Sequence, residues 1–121
     1  MKKIPYGKQS INQEDIQAVV DVLNSEFLTQ GPTVLEFEKN FAKYVGAKYA
    51  VAVSNATAAL HLSAMVMNVK PGDKVITTSL TFVASANCIR YCGGELVFAD
   101  IDRKTYLIDI NEVRQILNQD K

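Results

Sequence analysis

The chain has 121 residues, 48% of them hydrophobic, and its 13 basic residues balance its 13 acidic ones. This length and apolar share are typical of one globular domain, and the neutral balance gives no electrostatic basis for binding nucleic acid or an anionic membrane surface. No apolar run approaches the roughly 20 residues of a membrane span, and no apolar segment follows the basic Lys2 and Lys3, so we predict a cytoplasmic protein.

The first 46 residues are predicted to form two helices, each indicated by apolar residues at helical spacing. The first stripe consists of Ile16, Val19, Val20 and Leu23, and the second of Val34, Phe37, Phe41 and Val45. Asn12 is the predicted N-cap of the first helix. Residues 27–32 interrupt the periodicity as a loop, Pro32 begins the second helix, and Gly46 ends it in a left-handed conformation.

From residue 47 onward, short apolar strands alternate with segments long enough for crossover helices. The predicted strands are 49–53, 74–79 and 95–99, and the predicted helices between them are 57–69 and 82–91. This order predicts an α/β protein with a parallel sheet, in which ligands bind at the carboxyl ends of the strands. The loops expected to share that edge are 54–57, 80–82 and 100–102.

The junction at residues 54–57 favours two interpretations. Backbone amides at a helix N-terminus lack intrahelical partners, so a phosphate could bind there, but Ser54, Asn55 and Thr57 are also ordinary N-cap residues. Phe82 could lie on a heteroaromatic ring whose phosphate is held at Thr57 and Ala58, or it could be a core aromatic residue. Glycine motifs of nicotinamide-binding and P-loop proteins are absent from the sequence, which disfavours those two cofactor classes.

Three other features are interpreted as structural. Asp100 and Asp102 could form a carboxylate pair, but turn and cap roles after a strand are favoured. Asp109 and Glu112 resemble a capping box for the last helix. The two cysteines lie four residues apart on a predicted helix, which fits neither a disulfide framework nor a zinc pattern, so no metal site is predicted.

Taken in order, these motifs resemble the N-terminal part of the DegT/DnrJ/StrS sugar aminotransferases. The matching segments are Phe27–Pro32, Phe37–Glu38, Tyr44–Ala50, Ser54–His61, Pro71–Asp73, Thr81–Ala84, Ala86–Asn87 and Asp100–Asp102. The resemblance implies the N-terminal part of the large domain of the aspartate aminotransferase fold (fold type I), with a parallel-strand core and flanking helices. Residues 1–121 would then be a single incomplete domain, with a helical segment at 1–46 and a βαβαβ cofactor-binding portion at 47–121.

The resemblance also implies pyridoxal 5'-phosphate as the cofactor. By position, Ala56, Thr57 and the backbone of Ala58 correspond to the phosphate-binding residues, and Phe82 to the residue stacked on the pyridine ring. Many relatives have glycine where this chain has Ala56, a residue that still allows close approach to the backbone.

The same resemblance implies which residues lie near the substrate and which reaction is catalysed. Tyr6 and the loop residues Thr29, Gln30 and Gly31 are similar to the family's N-terminal segment near the sugar substrate. The implied homodimer transfers an amino group, usually from glutamate, to a 4-keto-6-deoxy nucleotide sugar for surface glycan synthesis. The branch it resembles makes UDP-4-amino-4,6-dideoxy-N-acetyl-altrosamine, a precursor of pseudaminic acid.

No catalytic residue is assigned within the chain. In the family, the Schiff-base lysine and the acidic residue that pairs with the pyridine nitrogen lie farther downstream, so the chain is expected to be a fragment that is inactive alone. Two alternatives stay open from the sequence: a sugar dehydratase of the same family that uses the same cofactor, and a non-catalytic phosphate-binding or assembly module.

Overall fold

The computed structural model describes residues 4–5 and 7–119. The chain divides into two compact units, with the division between Ala52 and Val53. The helices and strands are α1 (Gln13–Leu23), α2 (Pro32–Val45), α3 (Ala56–Val66), β1 (Lys74–Thr78), α4 (Ala84–Tyr91), β2 (Glu95–Ala99) and α5 (Ile110–Gln119). Within the described ranges, no helix is long and apolar enough to cross a membrane.

The two helices of the first unit form as their sequence signals predict. At α1, Asn12 Oδ1 accepts a hydrogen bond from the Asp15 amide at 2.9 Å, and the Asp15 carboxylate accepts one from the Asn12 amide at 2.9 Å. This reciprocal pair is a capping box, so the predicted N-cap is confirmed. Helix α2 begins at Pro32 and its last residue is Val45; the next residue, Gly46, has a φ of 71° and is the predicted left-handed cap.

The predicted strand at residues 49–53 is wrong, because this segment has no regular secondary structure. A strand needs a neighbour with which to exchange backbone hydrogen bonds, and an apolar run does not supply one. The Ala52 amide instead donates to Glu38 Oε1 on α2 at 2.8 Å. Val51 is 79% exposed, so this apolar segment is not part of the core in this chain.

The second unit contains a parallel pair of strands joined by a helix. β1 pairs with β2 from Lys74 opposite Glu95 to Thr78 opposite Ala99, which confirms the predictions for both strands and for their parallel direction. Helix α4 connects them, as predicted, although it begins at Ala84 rather than at Phe82.

Small side chains form the core of the second unit. Ala64 of α3 is buried against Cys88 and Ile89 of α4, and four partly buried residues surround this cluster: Val69, Val75, Cys92 and Leu96. Both cysteines are free thiols. Ala64 and Cys88 are small, so α3 and α4 can approach closely at this point of their contact.

Candidate functional site

The start of α3 combines a cap with free hydrogen-bond donors. Asn55, in an extended conformation, accepts a bond from the Ala58 amide through its Oδ1 at 2.9 Å, and its carbonyl accepts one from the Ala59 amide at 3.2 Å. In the described part of the chain, the amides of Ala56 and Thr57 have no hydrogen-bond partner. The capping interpretation is therefore correct for Asn55, and two donors are still available to a ligand.

The side chains around these donors suit an anion. Ala56 and Ala58 carry only methyl groups, Thr57 adds a hydroxyl, and the first turn of α3 has no acidic residue. The partial positive charge of a helix N-terminus favours a phosphate at this position. The donor set thus fits the phosphate of the cofactor that the sequence resemblance implies.

Phe82 lies in the turn before α4 rather than in the helix. Its carbonyl accepts a bond from the Ser85 amide at 3.0 Å, and its side chain is 73% exposed. The alternative prediction of a core aromatic residue is therefore wrong for this chain. The ring is accessible to a planar ligand, and helix α4 packs against α3, the helix that begins at Ala56.

The third predicted loop contains a turn centred on Asp102. Asp102 Oδ1 accepts bonds from the Thr105 amide at 2.8 Å, the Lys104 amide at 2.9 Å and the Thr105 hydroxyl at 3.0 Å. These bonds, with the Thr105 amide contributing most, hold the pKa of Asp102 below its usual value because they stabilise the carboxylate. The predicted turn role is confirmed for this residue.

The capping box predicted for the last helix is only half correct. Asp109 Oδ1 accepts from the Asn111 amide at 2.8 Å, which is a cap at the start of α5. The Glu112 carboxylate, however, accepts from the Asp100 amide, while the Asp109 amide donates to the Asp100 carbonyl at 2.9 Å. Glu112 therefore joins α5 to the segment that follows β2.

The predicted substrate loop lies before α2 in the first unit. Gln30 has a left-handed φ of 52°, and a Cβ on Gly31 would lie 2.7 Å from Phe27 Cβ, so this position requires glycine. Thr29 is exposed. Tyr6, the other predicted substrate residue, lies outside the described residues.

A groove in the second unit is separate from the predicted site residues. It encloses about 440 Å³ and is lined by His61, Met65, Asn68, Val69, Tyr91 and Cys92. The His61 and Tyr91 rings meet edge to face with centroids 5.2 Å apart, so His61 has a structural contact. Across residues 4–5 and 7–119, no cluster of three or more potential ligands could hold a metal ion.

One residue with a defined role was missed by the periodicity analysis. Glu38, whose carboxylate binds the Ala52 amide, is half-buried on α2. It lies at helical spacing between the apolar residues Val34 and Phe41, and an acidic residue within an apolar stripe is the signal that could have identified it.

The chain matches the model of the DegT/DnrJ/EryC1/StrS aminotransferase family over residues 9–121. The spore coat polysaccharide biosynthesis protein SpsC of Bacillus subtilis is 50% identical over 106 residues, which are 88% of this chain and 27% of SpsC. The UDP-4-amino-4-deoxy-L-arabinose–oxoglutarate aminotransferase of Shewanella sediminis is 37% identical over 116 residues, which are 96% of this chain and 30% of that protein.

Solved structures are similar over the same region. Spr1654 of Streptococcus pneumoniae in its PLP form has a TM-score of 0.86 and 36% identity, covering 93% of this chain and 29% of that one. Helicobacter pylori PseC, an aminotransferase involved in the biosynthesis of pseudoaminic acid, has a TM-score of 0.86 and 33% identity. The similar region covers 95% of this chain and 31% of PseC. The chain thus has part of the fold-type I domain, as predicted, and spans 27% to 31% of the length of these four relatives.

Proposed function

Because the chain belongs to the DegT/DnrJ/EryC1/StrS aminotransferase family, whose cofactor is pyridoxal phosphate, we propose that it is the phosphate-binding part of a sugar aminotransferase. One observation carries this proposal: the free amides of Ala56 and Thr57 and the Thr57 hydroxyl lie together at a helix N-terminus without an acidic neighbour. A dianionic phosphate is the ligand group that best satisfies such donors.

Each residue has a distinct role in this proposal. The amides of Ala56 and Thr57 and the Thr57 hydroxyl donate to the phosphate oxygens. The Ala58 amide, which donates to Asn55 Oδ1 in this structure, completes the donor set once that bond is released. The methyl side chains of Ala56 and Ala58 keep the backbone accessible to the phosphate. The exposed Phe82 ring stacks on the pyridine ring and orients it. When bound, the cofactor supplies the electron sink that amino-group transfer requires.

The proposed reaction moves an amino group from glutamate to a 4-keto-6-deoxy nucleotide sugar in the synthesis of a surface glycan, with pseudaminic acid as the proposed end product. The polysaccharide and sugar-acid roles in the names of SpsC and PseC support this substrate class. Tyr6 and the Thr29–Gly31 loop are the proposed sugar-binding residues. We place the enzyme in the cytoplasm as a homodimer, and, because its relatives are more than three times longer, we propose that residues 1–121 are one incomplete domain that does not transaminate alone.

The proposal is tested by calorimetric titration of the purified protein with pyridoxamine 5'-phosphate, which lacks an aldehyde and so forms no imines with surface lysines. Thr57→Ala should weaken binding by at least about tenfold, because a hydrogen bond to a charged group is lost, and Thr57→Ser should retain affinity. Thr33 occupies the same second position in α2, so Thr33→Ala is the matched control and should leave binding unchanged.

Two results would contradict the proposal. One is equal affinity of the wild type and Thr57→Ala for pyridoxamine 5'-phosphate. The other is equal affinity of the wild type for pyridoxamine, because the phosphate would then contribute nothing to binding.

A further inference from the structure

One donor of the proposed phosphate site is already occupied. The Ala58 amide donates to Asn55 Oδ1 at 2.9 Å, and a phosphate oxygen would need the same N–H group. We infer, on the basis of the proposed function, that Asn55 Oδ1 and a phosphate oxygen compete for the Ala58 amide. Asn55 is thus a competing cap, which the phosphate must displace in order to bind. Asn55 therefore sets the affinity of the site without being a permanent ligand.

The contacts of Asn55 allow this displacement. Its side chain is exposed, and its only other side-chain hydrogen bond among the described residues is from Nδ2 to Ser54 Oγ at 3.2 Å. The Asn55 carbonyl separately accepts from the Ala59 amide, so the first intrahelical bond remains when the side chain leaves. The helix can thus keep its start while its third amide changes acceptor.

Helix α1 has the same cap without the features that would admit an anion. Asn12 Oδ1 accepts from the Asp15 amide at 2.9 Å, at the equivalent third position of the helix. There, however, Asp15 bonds back to the Asn12 amide, and Glu14 adds a second acidic side chain. In α3 the corresponding positions hold Thr57 and Ala58. The Asn55 cap therefore has no reciprocal hydrogen bond from an acidic side chain, and no carboxylate in this turn repels a phosphate.

Two substitutions of Asn55 should change affinity in opposite directions. Asn55→Gly removes the competing oxygen, and because glycine is itself an acceptable N-cap, the helix start is largely kept. Its affinity for pyridoxamine 5'-phosphate should rise about fivefold, the factor that corresponds to one cap hydrogen bond. Asn55→Asp keeps the acceptor, adds a negative charge that strengthens the cap and repels phosphate, and should weaken binding at least about tenfold.

The experiment titrates the isotope-labelled protein with pyridoxamine 5'-phosphate and follows the Ala58 and Ala59 amide resonances. In the wild type, the Ala58 amide should shift strongly on binding, since its acceptor changes, while the Ala59 amide shifts less. Asn12→Gly and Asn12→Asp make the same cap changes on α1 and should leave the affinity unaltered. Far-ultraviolet circular dichroism checks helix content. If Asn55→Gly loses its fold, the wild-type Ala58 resonance still tests the inference, because an Ala58 amide that keeps Asn55 as its acceptor would not shift more than the Ala59 amide.

The outcomes separate this inference from the proposed function. If Thr57→Ala weakens binding but Asn55→Gly binds no more tightly than the wild type, the competing cap is refuted and the phosphate site stands. A loss of affinity in Asn55→Gly would make Asn55 a direct ligand, which also overturns the inference. If the wild type does not bind pyridoxamine 5'-phosphate, the proposed function and the inference fail together.

Discussion

Gly94, in the turn before β2, has no room for a side chain. A Cβ at this position would lie 2.8 Å from Val69 Cγ1, 2.9 Å from Ile89 Cγ2 and 3.4 Å from the Ile89 carbonyl oxygen. Its φ lies outside the left-handed region, so an added methyl group would be disfavoured by steric contact and not by backbone strain. Because two methyl groups that pack in or against the Ala64 cluster would have to move, we expect Gly94→Ala to destabilise the protein by about 1–3 kcal/mol.

Urea unfolding followed by circular dichroism measures this loss. Val69→Ala removes the closer methyl group, so the double variant Gly94→Ala/Val69→Ala should be more stable than the sum of the two single losses predicts. Gly7 has open space where its Cβ would lie, and Gly7→Ala is therefore the matched control. A Gly94→Ala variant within about 0.5 kcal/mol of the wild type, or a double variant without coupling, would refute this steric reasoning.

Three further predictions concern single contacts. Glu38→Leu should lower the free energy of unfolding by about 1–3 kcal/mol, because the Ala52 amide loses its acceptor. Glu38→Gln keeps an acceptor oxygen, so in the same urea assay it should be nearly as stable as the wild type. An NMR titration should find the pKa of the Asp102 carboxyl below the usual value of an aspartate, because the Thr105 and Lys104 amides stabilise the carboxylate. Since its folded-state pKa is lowered, its stabilisation is present above the unfolded pKa and is lost as pH falls through the folded one, and Asp102→Asn should remove that part of the acid dependence. Gly31→Ala should shift the amide resonances of Phe27 and Gln30, since its Cβ would lie 2.7 Å from Phe27 Cβ; unchanged spectra would contradict this.

Helices α1 and α2 were predicted correctly because their signals are local. Asn12 as a cap, Pro32 at a first turn and Gly46 at a left-handed end each act within a few residues, so α1 and α2 could be located from the sequence. The strand expected at 49–53 depended on a partner, and strand pairing is a property of the surrounding chain. An apolar run cannot distinguish a strand from an extended segment held by one side chain, as Glu38 holds Ala52.

The same distinction applies to the candidate site. The sequence indicated three possible caps for α3, but only the backbone conformation identified Asn55 as the one that binds the Ala58 amide. Glu112 was predicted to bond within its own helix end, and its contact with the Asp100 amide depends on how β2 and α5 meet. Sequence patterns thus predicted a phosphate site at the start of α3, whereas the tertiary arrangement determined which amide donors there are free.

The order of elements along the chain has a consequence for folding during synthesis. β1, α4 and β2 are consecutive, and the pairing of Lys74 with Glu95 closes only a short loop, which carries a small entropic cost. We therefore expect the β1–α4–β2 segment to form without help from residues that are synthesised earlier or later. Helix α3, which carries Thr57, leaves the ribosome before α4 exists to pack against Ala64. Until α4 has been synthesised, the helix proposed to bind phosphate has no α4 residues to pack against. During that time, its first turn is stabilised by the Asn55 cap alone.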